Sequence, residues 1–202
     1  MEVGIENLTM AAVASRLGTS HQALYRWVRD RDELVALVAD VYVRQLTIGP
    51  APDGDWRAAL RAFAHDLRDL LSRIPGFALE GLLAFRTTPA FLELNRQGVA
   101  VLLDAGFTPQ EAQRIYQTIG TVLLGWIARE DAYRRYREHP ELLASGTAEP
   151  DGTAEPDDAI ERRFGPVRRA ALAELTSPAA QRYSYLVELV LRGLPDPAPA
   201  SS

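Results

Sequence analysis

The side chains best equipped for chemistry lie in one short stretch, Ser20-His21-Gln22-Ala23-Leu24-Tyr25-Arg26-Trp27-Val28-Arg29. On a helix, where successive residues turn by about 100°, Leu24 and Val28 share a face with Trp27 beside it. Gln22, Tyr25, Arg26 and Arg29 then take the opposite arc, with His21 at its edge. An amide, a phenol and two guanidiniums on a slender helix can reach the base edges and phosphates of a duplex. An ordinary helical hairpin with a wet outer face carries the same pattern, and geometry alone favours neither.

Other chemistry finds little support. There is no cysteine, so thiol nucleophiles, disulfides and cysteine-held zinc are excluded. The sequence shows no phosphate-cradling glycine loop, no metal-spaced histidine pair and no serine in an elbow motif. His65 and Asp66 adjoin, but neighbours on a helix point about 100° apart and cannot act together. Neither an enzyme nor a cofactor or metal site is expected.

The chain has 202 residues, 47% of them hydrophobic, which permits a sizeable core. A net charge of −5 argues against a general nucleic-acid binder, but not against a site-specific reader with a few placed cations. All 22 basic residues are arginine, the side chain that engages phosphate and guanine with two prongs. No run approaches the roughly 18 apolar residues that span a bilayer, and the start lacks a signal-peptide layout. A cytoplasmic protein without membrane contact is the expectation.

The elements that must position these side chains read as helices throughout, so the fold class is all-α. Thr9 precedes an apolar-periodic helix, Ala11 to Leu17, that stops at Gly18. A second runs from about His21 to Val28. Asp30 caps a third, Arg31 to Leu46. Leu24 and Val28 can pack on Ala14 and Leu17, and Gly18-Thr19-Ser20 fits the corner of a helix-turn-helix. Residues 47–54 form a connector. Helices follow from Asp55-Trp56 to Pro75-Gly76, over Phe77–Phe85, from Thr88-Pro89 to Ala105, and from Thr108 to about His139. The last begins with a capping box, Thr108 to Glu111. Residues 146–151 and 152–157 repeat one hexapeptide, Gly-Thr-Ala-Glu-Pro-Asp, which reads as a solvated loop within 144–157. Helices resume over about 158–175 and from Pro178 to Arg192, and a disordered tail is expected over 196–202. Two domains follow, 1–47 and 55–193.

Leu8-Thr9, Ala14-x-x-Leu17-Gly18, Ala23-Leu24-Tyr25 and Arg31-x-Glu33-Leu34 together resemble the tetracycline-repressor family of regulators. Asp55-Trp56, Thr88-Pro89, Gly106-Phe107-Thr108 and Glu188-Leu189-Val190-Leu191-Arg192-Gly193 extend the likeness more loosely. The resemblance implies a repressor that binds double-stranded operator DNA as a homodimer and is released by a small-molecule effector. It places Thr9 at a phosphate, with Ser20, His21, Gln22, Ala23, Tyr25, Arg26 and Trp27 on the recognition helix. Gln22 and Arg26 become base readers, Tyr25 and Trp27 backbone or groove-wall contacts, and Arg31 a phosphate anchor.

Ala11 stands where relatives often carry a guanine-reading arginine, so their operators do not transfer. The family sets a full helix before this corner, where the chain has only Met1–Asn7, so a start upstream of Met1 is expected. The wall that such a helix supplies is worth about 1.5–3 kcal/mol for each buried apolar side chain. The alternative is a helical protein-interaction module that has lost DNA binding with that helix.

In the second half, Ile115, Ile119, Val122, Leu123 and Trp126, with Tyr185, Leu186, Leu189 and Val190, suggest a four-helix dimer seam. Such a two-fold dimer would read a palindromic operator. An effector cavity is expected among Phe63, Leu67, Phe85, Arg86, Phe91, Asn95, Tyr116 and Trp126, each of which could equally be plain core. By the resemblance, magnesium-tetracycline is not the effector: none of His21, His65 and His139 matches the metal-binding position, and Arg129 replaces the partner carboxylate. A neutral or anionic, partly aromatic ligand is expected.

Overall fold

The computed structural model describes residues 5, 8–84, 88–138, 165–167, 169–170 and 177–198. Eight α-helices are named here: α1 Met10–Arg16, α2 His21–Leu24, α3 Arg31–Val43, α4 Trp56–Leu71, α5 Phe77–Ala84, α6 Pro89–Asp104, α7 Pro109–Glu138 and α8 Ala179–Gly193. The α2 helix and the all-α class agree with the periodicity. The expected loop at 144–157, most of the helix at 158–175, and Phe85 and Arg86 lie outside the described residues.

Caps explain most of the starts. The side chains of Thr9, Ser20, Asp30, Asp55 and Thr88 each accept a hydrogen bond from a backbone N–H of the first turn that follows. At α7 the capping box closes in both directions. Thr108 N donates to Glu111 Oε2 at 3.0 Å, and Glu111 N donates to Thr108 Oγ1 at 3.4 Å.

Two apolar clusters result. The larger joins α3 to α8 through residues such as Val35, Leu60, Phe77, Leu102, Ile119 and Val187, and α7 runs along α4, α5, α6 and α8. The smaller comprises Met10, Ala14, Leu24, Val28 and Leu34. It fixes α2 on α1, and Leu34 carries it onto α3.

Several expectations are corrected. Leu17 is 67% exposed and does not join the small core; Met10, one turn before Ala14, and Leu34 close it instead. The second helix ends at Leu24 rather than Val28. Past it, Arg26 N donates to Ala23 O and Trp27 N to Leu24 O, the tighter three-residue spacing of a frayed terminus. Ile115, Ile119 and Leu123 are not surplus to the monomer, because they are buried in the larger core. The first residues of the expected tail are held: Arg57 donates to Leu191 O, Leu194 O and Asp196 Oδ1. One guanidinium thereby satisfies carbonyls at the end of α8.

Candidate functional site

The first part of the site is the outer face of α1 and α2. Ser20, His21, Gln22 and Arg26 are exposed, as are Tyr25 at 48% and Trp27 at 82%; Ala23 is half-buried. His21 and Tyr25 stack edge to face, with ring centroids 4.9 Å apart. Ser20 and Thr9 both use their hydroxyl oxygens as caps, accepting from Ala23 N and Ala12 N at 3.1 Å. Each keeps its proton to donate outward. Gly18 makes the corner with φ +62°, a conformation that side chains bearing a Cβ rarely adopt.

Arg31 lies apart from this face. Its guanidinium donates to Leu8 O and Ile5 O at 3.2 Å and to Glu80 Oε1 at 3.1 Å. It therefore joins the approach to α1, the start of α3 and the helix α5. Ile5 is buried in the larger core, and its N–H donates to Pro75 O at the corner before α5. In this conformation Arg31 is occupied inside the protein.

The second part is a cavity of about 280 Å³ enclosed by α3 to α7. Of the residues expected there, Phe63, Leu67, Phe91, Asn95 and Tyr116 line it. Trp126 does not. It stands two residues beyond the lining residue Leu124, about 200° around α7, and faces a groove with Tyr185 and Leu189 of α8. There its indole N–H donates to Glu130 and Arg129 covers the ring. The sequence reading missed Phe77, Gln113, Gln117, Gly120 and Thr121, all of which line the cavity. The four-residue steps Gln113, Gln117 and Thr121 carried the signal, since they put polar groups on one face of an otherwise apolar helix.

The cavity floor depends on Gly98, where a Cβ would overlap the Tyr116 ring. With that approach open, Tyr116 lies 6.4 Å from Phe63, centroid to centroid. Burial raises the pKa of the Tyr116 phenol, so it stays un-ionised. Beside the cavity, Asp40 of α3 accepts from Ala90 N at 2.8 Å and pairs with Arg44. Chiefly the Ala90 N–H, with Arg44 adding to it, holds the Asp40 carboxyl below its ordinary pKa.

Comparison with known proteins decides the family. The model described as "Tetracyclin repressor-like, C-terminal domain" matches residues 49–192. The chain belongs to the tetracycline-repressor family. It is 43% identical over 197 residues to the HTH-type transcriptional repressor DrrR1 of Streptomyces coeruleorubidus, covering 95% of this chain and 71% of that one. It is 29% identical over 139 residues to the class A tetracycline repressor of transposon 1721 from Escherichia coli, covering 65% and 61%. The chain thus spans under two thirds of that repressor's length. The fold matches ActR of Streptomyces coelicolor, solved in complex with actinorhodin, with a TM-score of 0.72 at 19% identity over 93% of this chain and 85% of that one. A possible TetR family regulator of the same organism gives a TM-score of 0.72 at 26% identity, covering 95% and 91%. As a member of this repressor family the protein is a transcription regulator, not an enzyme. No described helix is long and apolar enough to cross a membrane.

Proposed function

We propose that this family member represses transcription as a two-fold dimer that reads a palindromic operator through α1 and α2, and that a small molecule in the cavity releases it. The observation that carries the reading is the exposed arc of Gln22, Tyr25 and Arg26 on a helix held from behind by Leu24 and Val28. Gln22 and Arg26 read bases, Tyr25 and Trp27 touch the groove wall, and Thr9 and Ser20 meet phosphates. Residues 1–47 form the reading unit and 55–193 the sensing and pairing unit. Tyr185 and Leu189, 71% and 58% exposed on α8, supply the pairing surface with Trp126 of α7.

The test is fluorescence anisotropy with labelled duplexes tiled across the DNA flanking the gene. A palindromic duplex should bind specifically, and Arg26→Ala should lose about 1–3 kcal/mol of discrimination against altered bases. Equal binding of every duplex, unchanged by Arg26→Ala, would overturn the base-reading role. A second reading, a protein-interaction module, draws on the 82% exposure of Trp27 and the internal engagement of Arg31. It would stand if no duplex binds.

A further inference from the structure

The polar groups of the cavity are arranged on one side. Gln113, Gln117 and Thr121 recur every four residues on α7, so they form a row with steps of about 6 Å along the helix. Thr121 Oγ donates to Gln117 O at 2.9 Å, which leaves its lone pairs to accept from elsewhere. Among the described residues, the side-chain amides of Gln113, Gln117 and Asn95 have no hydrogen-bond partner in the protein. Facing this row are the rings of Phe63, Phe77 and Phe91. The lining groups that can hydrogen-bond are amides, a hydroxyl and a phenol that burial keeps neutral.

We propose that the cavity takes a flat, uncharged aromatic molecule with hydroxyl or carbonyl groups along one edge, that edge lying against Gln113, Gln117 and Thr121. The inference rests on the effector reading above and specifies its ligand class. Aromatic faces bind a ring by offset or edge contact. Amides, which both donate and accept, suit a row of hydroxyls and carbonyls. A charged group would be desolvated against neutral amides, at a cost that their hydrogen bonds do not offset.

Gly120 supplies the test. It lines the cavity between these steps, and a Cβ built there meets no atom within 4 Å. Gly120→Leu should therefore fill the space without disturbing the fold, checked by circular dichroism, with Gly120→Ala as a milder second variant. Titration calorimetry on the full chain would compare dihydroxynaphthalene, naphthalene and naphthalene sulfonate, which share one ring system. The expected order of affinity is dihydroxynaphthalene, then naphthalene, then the sulfonate. Gln117→Leu should weaken dihydroxynaphthalene by up to about tenfold, one lost hydrogen bond, and leave naphthalene unaffected. Gly120→Leu should abolish binding of all three. Tightest binding of the sulfonate, or no binding of any of them, overturns the ligand class and leaves the cavity reading standing. Tight binding that Gly120→Leu does not alter overturns the cavity as the effector site.

Discussion

Arg31 faces two claims on one guanidinium. Family resemblance sends it to a phosphate, while the fold ties it to Ile5 O, Leu8 O and Glu80. The two differ in what salt does. If Arg31 turns to DNA, Arg31→Ala should weaken binding to all duplexes and lower the slope of log affinity against log salt by about one. An unchanged slope would leave it an internal tie. Stability reads out the tie itself. Glu80→Gln removes a half-exposed ion pair and should cost about 0–1 kcal/mol by thermal melting. Arg31→Ala should cost more, since two carbonyls also lose their donor. The glycines of the cavity make a second contrast. Gly98→Ala forces a Cβ into the Tyr116 ring, and such overpacking costs about 1–3 kcal/mol. Gly120→Ala meets open space and should instead gain about 0.5–1 kcal/mol from helix propensity. Equal melting temperatures for the two variants would contradict that assignment of the cavity floor.

Between elements, Asp40 links α3 to the first turn of α6 through Ala90 N and to its own helix through Arg44. Its carboxyl titrates below the ordinary range in the folded state, mainly because of the Ala90 N–H. A depressed native pKa contributes stability that is present above the unfolded value, about 3.9. That contribution is lost as pH falls through the lower native value. The melting temperature should therefore drop on acidification below about pH 4, and Asp40→Asn should be less stable at neutral pH with a shallower acid limb. An identical acid limb in Asp40→Asn would show that other carboxylates set it. The link matters for sensing because α3 leads from the α1–α2 pair while α6 lines the cavity with Phe91 and Asn95.

At the scale of the molecule, the small core of Met10, Ala14, Leu24, Val28 and Leu34 is separate from the large one. Only α3 and the Ile5 and Arg31 ties bridge them among the contacts described here. Relative movement of the reading face and the cavity would therefore pass through few side chains. Pairing of subunits would set the spacing of two such faces, about 34 Å for successive turns of a duplex. Leu189→Glu puts a charge into the exposed α8 stripe, where desolvation would oppose association. Sedimentation should show monomers, with operator affinity falling in parallel. A dimer that persists with full affinity would move the pairing surface elsewhere.

Helix starts and the recognition string were legible in one dimension, because capping and apolar periodicity depend on residues three or four apart. Thr9, Ser20, Asp30, Asp55, Thr88 and Thr108 mark starts that the fold uses, and the family could be read from Ala14 to Leu34. Which apolar residues become core could not be read so locally. Leu17 and Ile119 look alike in sequence, yet one is exposed and the other buried, because burial depends on which distant helix arrives to cover it. The cavity is of that kind as well: Phe63, Phe91 and Tyr116 could be gathered from aromatic content, but Gly98 and the α7 amide row acquire meaning only where three helices meet. Arg31 shows the same division. Its type and position at a helix start are local facts, whereas its attachment to Glu80, 49 residues away, exists only once α5 has packed beside α3.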